Sequence, residues 1–201
     1  ALQSEPPFTH YFFNDMEPRA INALERRAAG FKTASLQFFN EDCNNAIEEI
    51  AKKLPQRALH FCFIDPTNWQ IRFSSVQRLT DGKSMDLAIT FHTGQIKRVP
   101  SDAAKLLDEF FGDSSWRANY EEMQASGKRE GSKVLLDTYE EKLKGLGYKD
   151  IRDWILEKNT RGVPLYHLLF ASKHPRGKDF WDKISQKLPS GQIRMGGLEV
   201  A

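Results

Sequence analysis

The chain has 201 residues, a formal charge of +2, and 40% hydrophobic against 28% charged residues. That fits one domain, large enough to bury most of the apolar surface of its unfolded form. No apolar run approaches the ~20 residues that span a bilayer, and no basic stretch followed by an apolar one opens the chain; a soluble, cytoplasmic protein without membrane contact is the expectation. So small a charge gives no argument for nucleic-acid binding by bulk electrostatics, although a local basic patch leaves nucleic acid possible. Cys43 and Cys62 are the two cysteines, and Cys62 lies inside an apolar run, so a buried thiol is expected rather than a disulfide. The chain opens at Ala1 without a methionine, shortly before an apolar strand, which suggests a trimmed fragment.

In chain order, Tyr11-Phe12-Phe13-Asn14-Asp15 is strand-like and ends in an acid. Met16-Glu17-Pro18 then opens a helix with proline in its first turn, where the missing N–H is harmless, and Gly30 stops it. The unit repeats. Leu36-Gln37-Phe38-Phe39-Asn40-Glu41-Asp42 leads through Asn44 or Asn45 as N-cap into a helix closed by Pro55. A third strand, 58–64, is apolar at nearly every position, as a parallel strand covered on both faces reads, and ends in Asp65-Pro66-Thr67-Asn68-Trp69. Residues 73–80 read as a short helix and 85–92 as a fourth strand. From Ser101, an N-cap, Ala103, Leu106, Leu107 and Phe110 recur at helical spacing. Residues 113–132 are polar and read as a surface insertion around Trp116 and Tyr120; helix returns over 134–146. The period then changes to two, and 150–158 with 165–171 form an antiparallel hairpin across a turn at 159–162. A last helix is expected over 178–187, with Phe180, Trp181 and Ile184 on one face.

Repeated β-α units closed by such a hairpin give an α/β sheet with one reversed strand. Ligands of open α/β sheets bind beyond the carboxyl ends of the strands, where Asp15, Asp42 and Asp65 fall. Ionised carboxylates offer only acceptors, which suits ribose hydroxyls and an adenine amine, so the three acids point to a nucleoside-type ligand. Each has a plainer alternative: Asp15 or Glu17 caps the first helix, Asp42 caps the second, and Asp65-Pro66 ends a strand in a turn beside a partly buried Trp69. Lys173, Arg176 and Lys178 gather three cations that could meet phosphate, or form a solvated loop. The five histidines show no ligand spacing, and no metal is expected.

This topology resembles the class I methyltransferase fold, a Rossmann-like sheet with an antiparallel C-terminal hairpin. Phe61-Cys62-Phe63-Ile64-Asp65-Pro66, together with Pro164-Leu165-Tyr166-His167-Leu168-Leu169-Phe170-Ala171-Ser172-Lys173-His174-Pro175-Arg176-Gly177, is similar to the three-Cys-motif partner protein (TcmP) family. The resemblance implies an S-adenosylmethionine-dependent methyltransferase-like protein, probed most directly at Asp15, Glu17, Asp42 and Cys43 as cofactor-binding residues. Asp65, Pro66 and Trp69 would then position an amine or planar acceptor. It also implies a partner carrying a three-cysteine motif. A non-catalytic partner or nucleic-acid-binding protein that keeps the fold is the alternative. Members of the family start with a strand and a glycine-rich loop; here nothing of that kind precedes Asp15, and Gly30 is the first glycine. The expectation is thus a single, N-terminally incomplete domain over 1–201, lacking the first strand of the family order 3-2-1-4-5-7-6. Its place is expected to be filled by an N-terminal segment or another chain, or closed by direct pairing of the Asp15 and Asp65 strands.

Overall fold

The computed structural model describes residues 2, 7–31, 35–67, 69–92, 104–126, 131–158, 164–177, 179 and 181. β1 (His10–Asn14) runs into α1 (Pro18–Ala28), whose N-cap Glu17 accepts the Arg19 N–H through its carboxylate at 3.2 Å. β2 (Ser35–Phe39) pairs parallel with β1, from His10 opposite Ser35 to Asn14 opposite Phe39. α2 (Cys43–Lys53) follows. Of the caps expected for it, the N-cap is Asp42, whose Oδ1 accepts the Asn44 N–H at 2.8 Å, and not Asn44 or Asn45. Asn44 is not free to cap, because its side chain turns inward to hold residues 70–75. Its Nδ2 donates to Gln70 O at 3.0 Å, and its Oδ1 accepts from Arg72 N at 2.9 Å and Ser75 Oγ at 2.8 Å.

β3 (Leu59–Ile64), α3 (Phe73–Thr80) and β4 (Ser84–Phe91) make the next unit, with β3 and β4 parallel. Three helices follow, α4 (Ala104–Phe111), α5 (Trp116–Ser126) and α6 (Gly131–Gly145), before β5 (Asp150–Lys158) and β6 (Pro164–Ser172). β6 is antiparallel to both β4 and β5, so the expected hairpin reverses the end of the sheet. Within the region read as a polar insertion, α5 is a regular helix, anchored by Trp116 at 3% exposure and packed on α6. Trp116 Nε1–H donates to Asp108 at 2.9 Å, which lets an indole sit inside without losing its hydrogen bond. Ser101 and most of the expected last helix lie outside the described residues; of it, Trp181 stacks on Phe170 with ring centroids 4.8 Å apart.

The core lies on one face of the larger sheet. Ile64, Leu87, Ile89 and Leu169 meet Ile47 of α2, Val76 and Leu79 of α3, and an aromatic group of Phe91, Phe110, Phe111 and Tyr139. Gly112 ends α4 at φ +84, and a Cβ there would stand 3.1 Å from Phe73 Cδ1. A left-handed, side-chain-free residue is what lets α4 turn away so close to α3.

Two expectations fail here. The strands form two sheets, β1-β2 and β3-β4-β6-β5, and β1 does not pair with β3 among the described residues. Direct closure of the gap is therefore not what happens. Nor is β3 covered on both faces. Its alternate residues Leu59, Phe61 and Phe63 are 87%, 47% and 56% exposed, while Cys62 and Ile64 face the core. Continuous apolarity marks residues that favour burial; it does not state that both burying partners are present.

Candidate functional site

Each of the three acids stands at the carboxyl end of a parallel strand, and each spends one oxygen on its own fold. Asp15 Oδ1 accepts the Glu17 N–H at 2.8 Å, and Asp15 N–H donates to Phe39 O at 3.2 Å. Asn40 Nδ2 donates to Asp15 O at 2.9 Å, so the ends of β1 and β2 are tied together. Asp42 Oδ1 takes both the Asn44 N–H and the Asn44 Nδ2, at 2.8 and 3.0 Å. Asp65 Oδ1 accepts the Thr90 hydroxyl at 2.6 Å, which fixes it against the end of β4. All three residues are exposed, and their Oδ2 atoms make no hydrogen bond or ion pair among the described residues. Capping and ligand binding are thus not exclusive: one oxygen caps and the other remains an acceptor facing solvent.

The β1-β2 pairing ties Asp15 to Phe39 and Asn40, in the segment that leads to Asp42. Asp65 belongs to the other sheet, and its link to Asp42 runs through Asn44 and the 70–72 segment. Glu17 is committed as the cap of α1. Cys43 begins α2 and is half-buried against the core; burial, then the Asp42 charge, push its thiol above the ordinary range. Burial alone pushes Cys62 to about 12. Both thiols are free and stay protonated at neutral pH, and neither is poised as a nucleophile. Trp69 corrects an expectation. It is 4% exposed and packed in the core, so a planar acceptor finds no open face of its ring.

Reasoning from sequence missed the residues that hold the acids. Thr90 and Asn40 reach Asp65 and Asp15 across 25 positions, and Asn44, which meets Asp42 locally, ties it to residues 26 to 31 positions away, separations that no local pattern reports. His92 follows β4 at the same end of the sheet, its ring 5.9 Å from that of Tyr166 and its Nε2 buried without a partner among the described residues. Of the cations expected to gather at 173–178, Arg176 is exposed and Lys173 turns to the fold. Lys173 Nζ donates to Thr80 O at 3.0 Å and sits 5.0 Å over the Tyr148 ring, and burial lowers its pKa. Lys178 lies outside the described residues.

Two surface cavities lie elsewhere. One of about 390 Å³ is lined by Arg72, Ser74, Lys105, Asp108, Glu109, Gly112 and Asp113. Another, of about 400 Å³, lies near the amino end of β4 beside Lys52, Arg78 and Lys83. Neither includes Asp15, Asp42 or Asp65, and the strand-end geometry is the better guide because ligands of α/β sheets approach that end. Among the described residues, no group of three or more His, Cys, Asp or Glu side chains could hold a metal ion, and no helix is long and apolar enough to cross a membrane.

No family model matches the chain, and no curated protein matches it. Among solved structures, the citrinin polyketide synthase CMeT domain superposes with a TM-score of 0.43 at 13% identity, covering 86% of this chain and 41% of that one. The chain thus spans well under half of that structure. A likeness at this level assigns no role to any residue.

The described residues suit S-adenosylmethionine in part. Carboxylate oxygens at Asp15 and Asp42 without a partner among the described residues match hydroxyl and amine donors.

Proposed function

We propose that the protein is an S-adenosylmethionine-dependent methyltransferase-like protein of the TcmP family, acting on an acceptor that the site does not name. What carries the reading is the trio of Asp15, Asp42 and Asp65, each following a parallel strand with one oxygen anchored and the other without a partner among the described residues. Asp15 would accept from the ribose hydroxyls and Asp42 from the adenine amine, with Glu17 and Cys43 lining the turns beside them. Asp65, held by Thr90, and the Pro66 carbonyl would orient an acceptor amine. The cofactor supplies the methyl group. The protein's own part is alignment, which needs few strong acids or bases.

Isothermal titration with S-adenosylmethionine tests this. Binding that falls at least about tenfold in Asp15→Ala, the loss of one charge-assisted pair, is the expected result; no heat at millimolar cofactor overturns it.

A second reading is favoured by Trp69 and by the capping bonds. A buried tryptophan and acids already used locally also describe a fold kept without its chemistry, serving a three-cysteine-motif protein or a nucleic acid. Partner co-purification that survives Asp15→Ala and Asp65→Ala, without cofactor binding by the parent protein, would select it.

A further inference from the structure

The strand order β3-β4-β6-β5 gathers at one end of the larger sheet a set of cations that the chain itself scatters. Arg57 stands shortly ahead of β3, Lys83 immediately ahead of β4 and Lys149 immediately ahead of β5. β6 runs against β4 and β5, so Lys173 and Arg176, which follow its last residue, reach the same end. The bond from Lys173 Nζ to Thr80 O at 3.0 Å fixes that placement. We propose that this end of the sheet, opposite the three acids, is a binding surface for the phosphodiester backbone of a double-stranded nucleic acid.

The charges are sorted between the two ends of the fold. Arg57, Lys149 and Arg176 are exposed, and their side chains meet no acid among the described residues. Several neighbouring acids are already engaged: Glu48 pairs with Arg78, Glu49 with Lys53, and Asp86 accepts the Ser172 hydroxyl at 2.6 Å. Asp81 and Asp150 are the acids of the same connections that remain. The other end carries Asp15, Glu17, Asp42 and Asp65, so the formal charge of +2 averages over two unlike ends. Cations beside helix C-termini often answer the helix dipole, as Lys173 does at Thr80. Arg57 and Lys149 lie past the ends of α2 and α6 and bond to no helix carbonyl among the described residues.

Spacing selects the partner. Neighbouring strands lie about 4.8 Å apart, so the row from β3 to β5 spans about 14 Å. One strand of a duplex advances about 3.4 Å per phosphate, and such a row faces about four phosphates. A lone phosphate group would meet only one or two of these cations. Beside the β3-β4 end of the row, the cavity of about 400 Å³ sets Lys52, Arg78 and Lys83 around one hollow, which admits a backbone ridge and not a flat bilayer. Among the described residues, Leu59 is the one large apolar side chain exposed at this end of the larger sheet, whereas attachment to a membrane surface needs an apolar face beside the cations.

The row stands whether or not the protein transfers methyl groups, and its test uses no cofactor. Fluorescence anisotropy follows a labelled DNA duplex and an RNA duplex of equal length, and co-sedimentation follows vesicles of phosphatidylserine in phosphatidylcholine. The expected result is duplex binding, indifferent to sequence, whose log affinity falls against log salt with a slope of about −3 to −4. Binding to either duplex supports the proposal, and the tighter one names the source. Arg57→Gln with Lys149→Gln should weaken binding at low salt at least about tenfold and make the slope shallower by about two. Arg19→Gln with Arg26→Gln removes as much charge from exposed positions of α1 and should change neither. Equal losses in the two double variants would reduce the effect to bulk charge and overturn the proposal. So would the absence of binding to both duplexes at low salt, or vesicle binding without duplex binding.

Discussion

β4 and β6 sink into a core where Leu87, Ile89, Phe91 and Leu169 are fully buried, whereas β1 and β2 contribute one buried residue each, Tyr11 and Phe39. Both halves contain the unit of aromatic or aliphatic strand, acid and helix, in β1 and β2 on one side and β3 on the other. They differ in neighbours. β4 is paired on both sides and roofed by helices from three later segments; among the described residues β1 pairs with β2 alone and touches α2. Aromatic strand content therefore does not measure how tightly a strand is held. The number of surfaces it meets does.

The largest effect should come from the packed half. Phe91→Ala removes a ring in edge-to-face contact with Phe110, Phe111 and Tyr139, and should cost about 3–5 kcal/mol in urea unfolding. Phe13→Ala, which removes a half-buried ring stacked on Phe38 at 5.5 Å, should cost about 1–2 kcal/mol, since only part of a phenyl group's burial is lost. Equal losses would mean that the two halves are not differently packed.

Asn44→Ala addresses the joint between the halves. It strands the Arg72 N–H, the Gln70 carbonyl and the Ser75 hydroxyl together, and should cost about 2–3 kcal/mol. The β1-β2 half should then exchange amide hydrogens earlier than the rest in native-state exchange; uniform loss throughout would show that Asn44 is only a core residue. Gly112→Ala, forced to φ +84 with its Cβ against Phe73, should cost about 1–2 kcal/mol without disturbing β1 or β2, as thermal melts and amide shifts would report.

The smallest effect concerns pH. Burial lowers the pKa of His60 and His167 below the ordinary 6.5, and His60 Nε2 lies 3.0 Å from Pro55 O. Between the folded and unfolded values the unfolded chain binds more protons, so stability should fall as pH drops through 6.5 and level off below the folded values. His60→Gln should flatten part of that slope in denaturant titrations at pH 7.5 and 5.5. An unchanged slope would remove His60 from the effect.

The sequence determined the local elements, because they rest on neighbours a few positions away. Pro18 starts α1, alternation and turn chemistry announce the β5-β6 hairpin, and the acids at 15, 42 and 65 fall where strands stop. Tertiary structure decided whatever depends on distant partners. Only packing shows that Trp69 lies inside, that Asn44 bridges to 70–75 rather than capping, and that Thr90 holds Asp65 across 25 positions. Only the pairing shows β1 and β3 standing apart with Leu59, Phe61 and Phe63 bare. Apolar character in a strand records a preference for leaving water, and it is the arrangement of other elements that satisfies it or leaves it open.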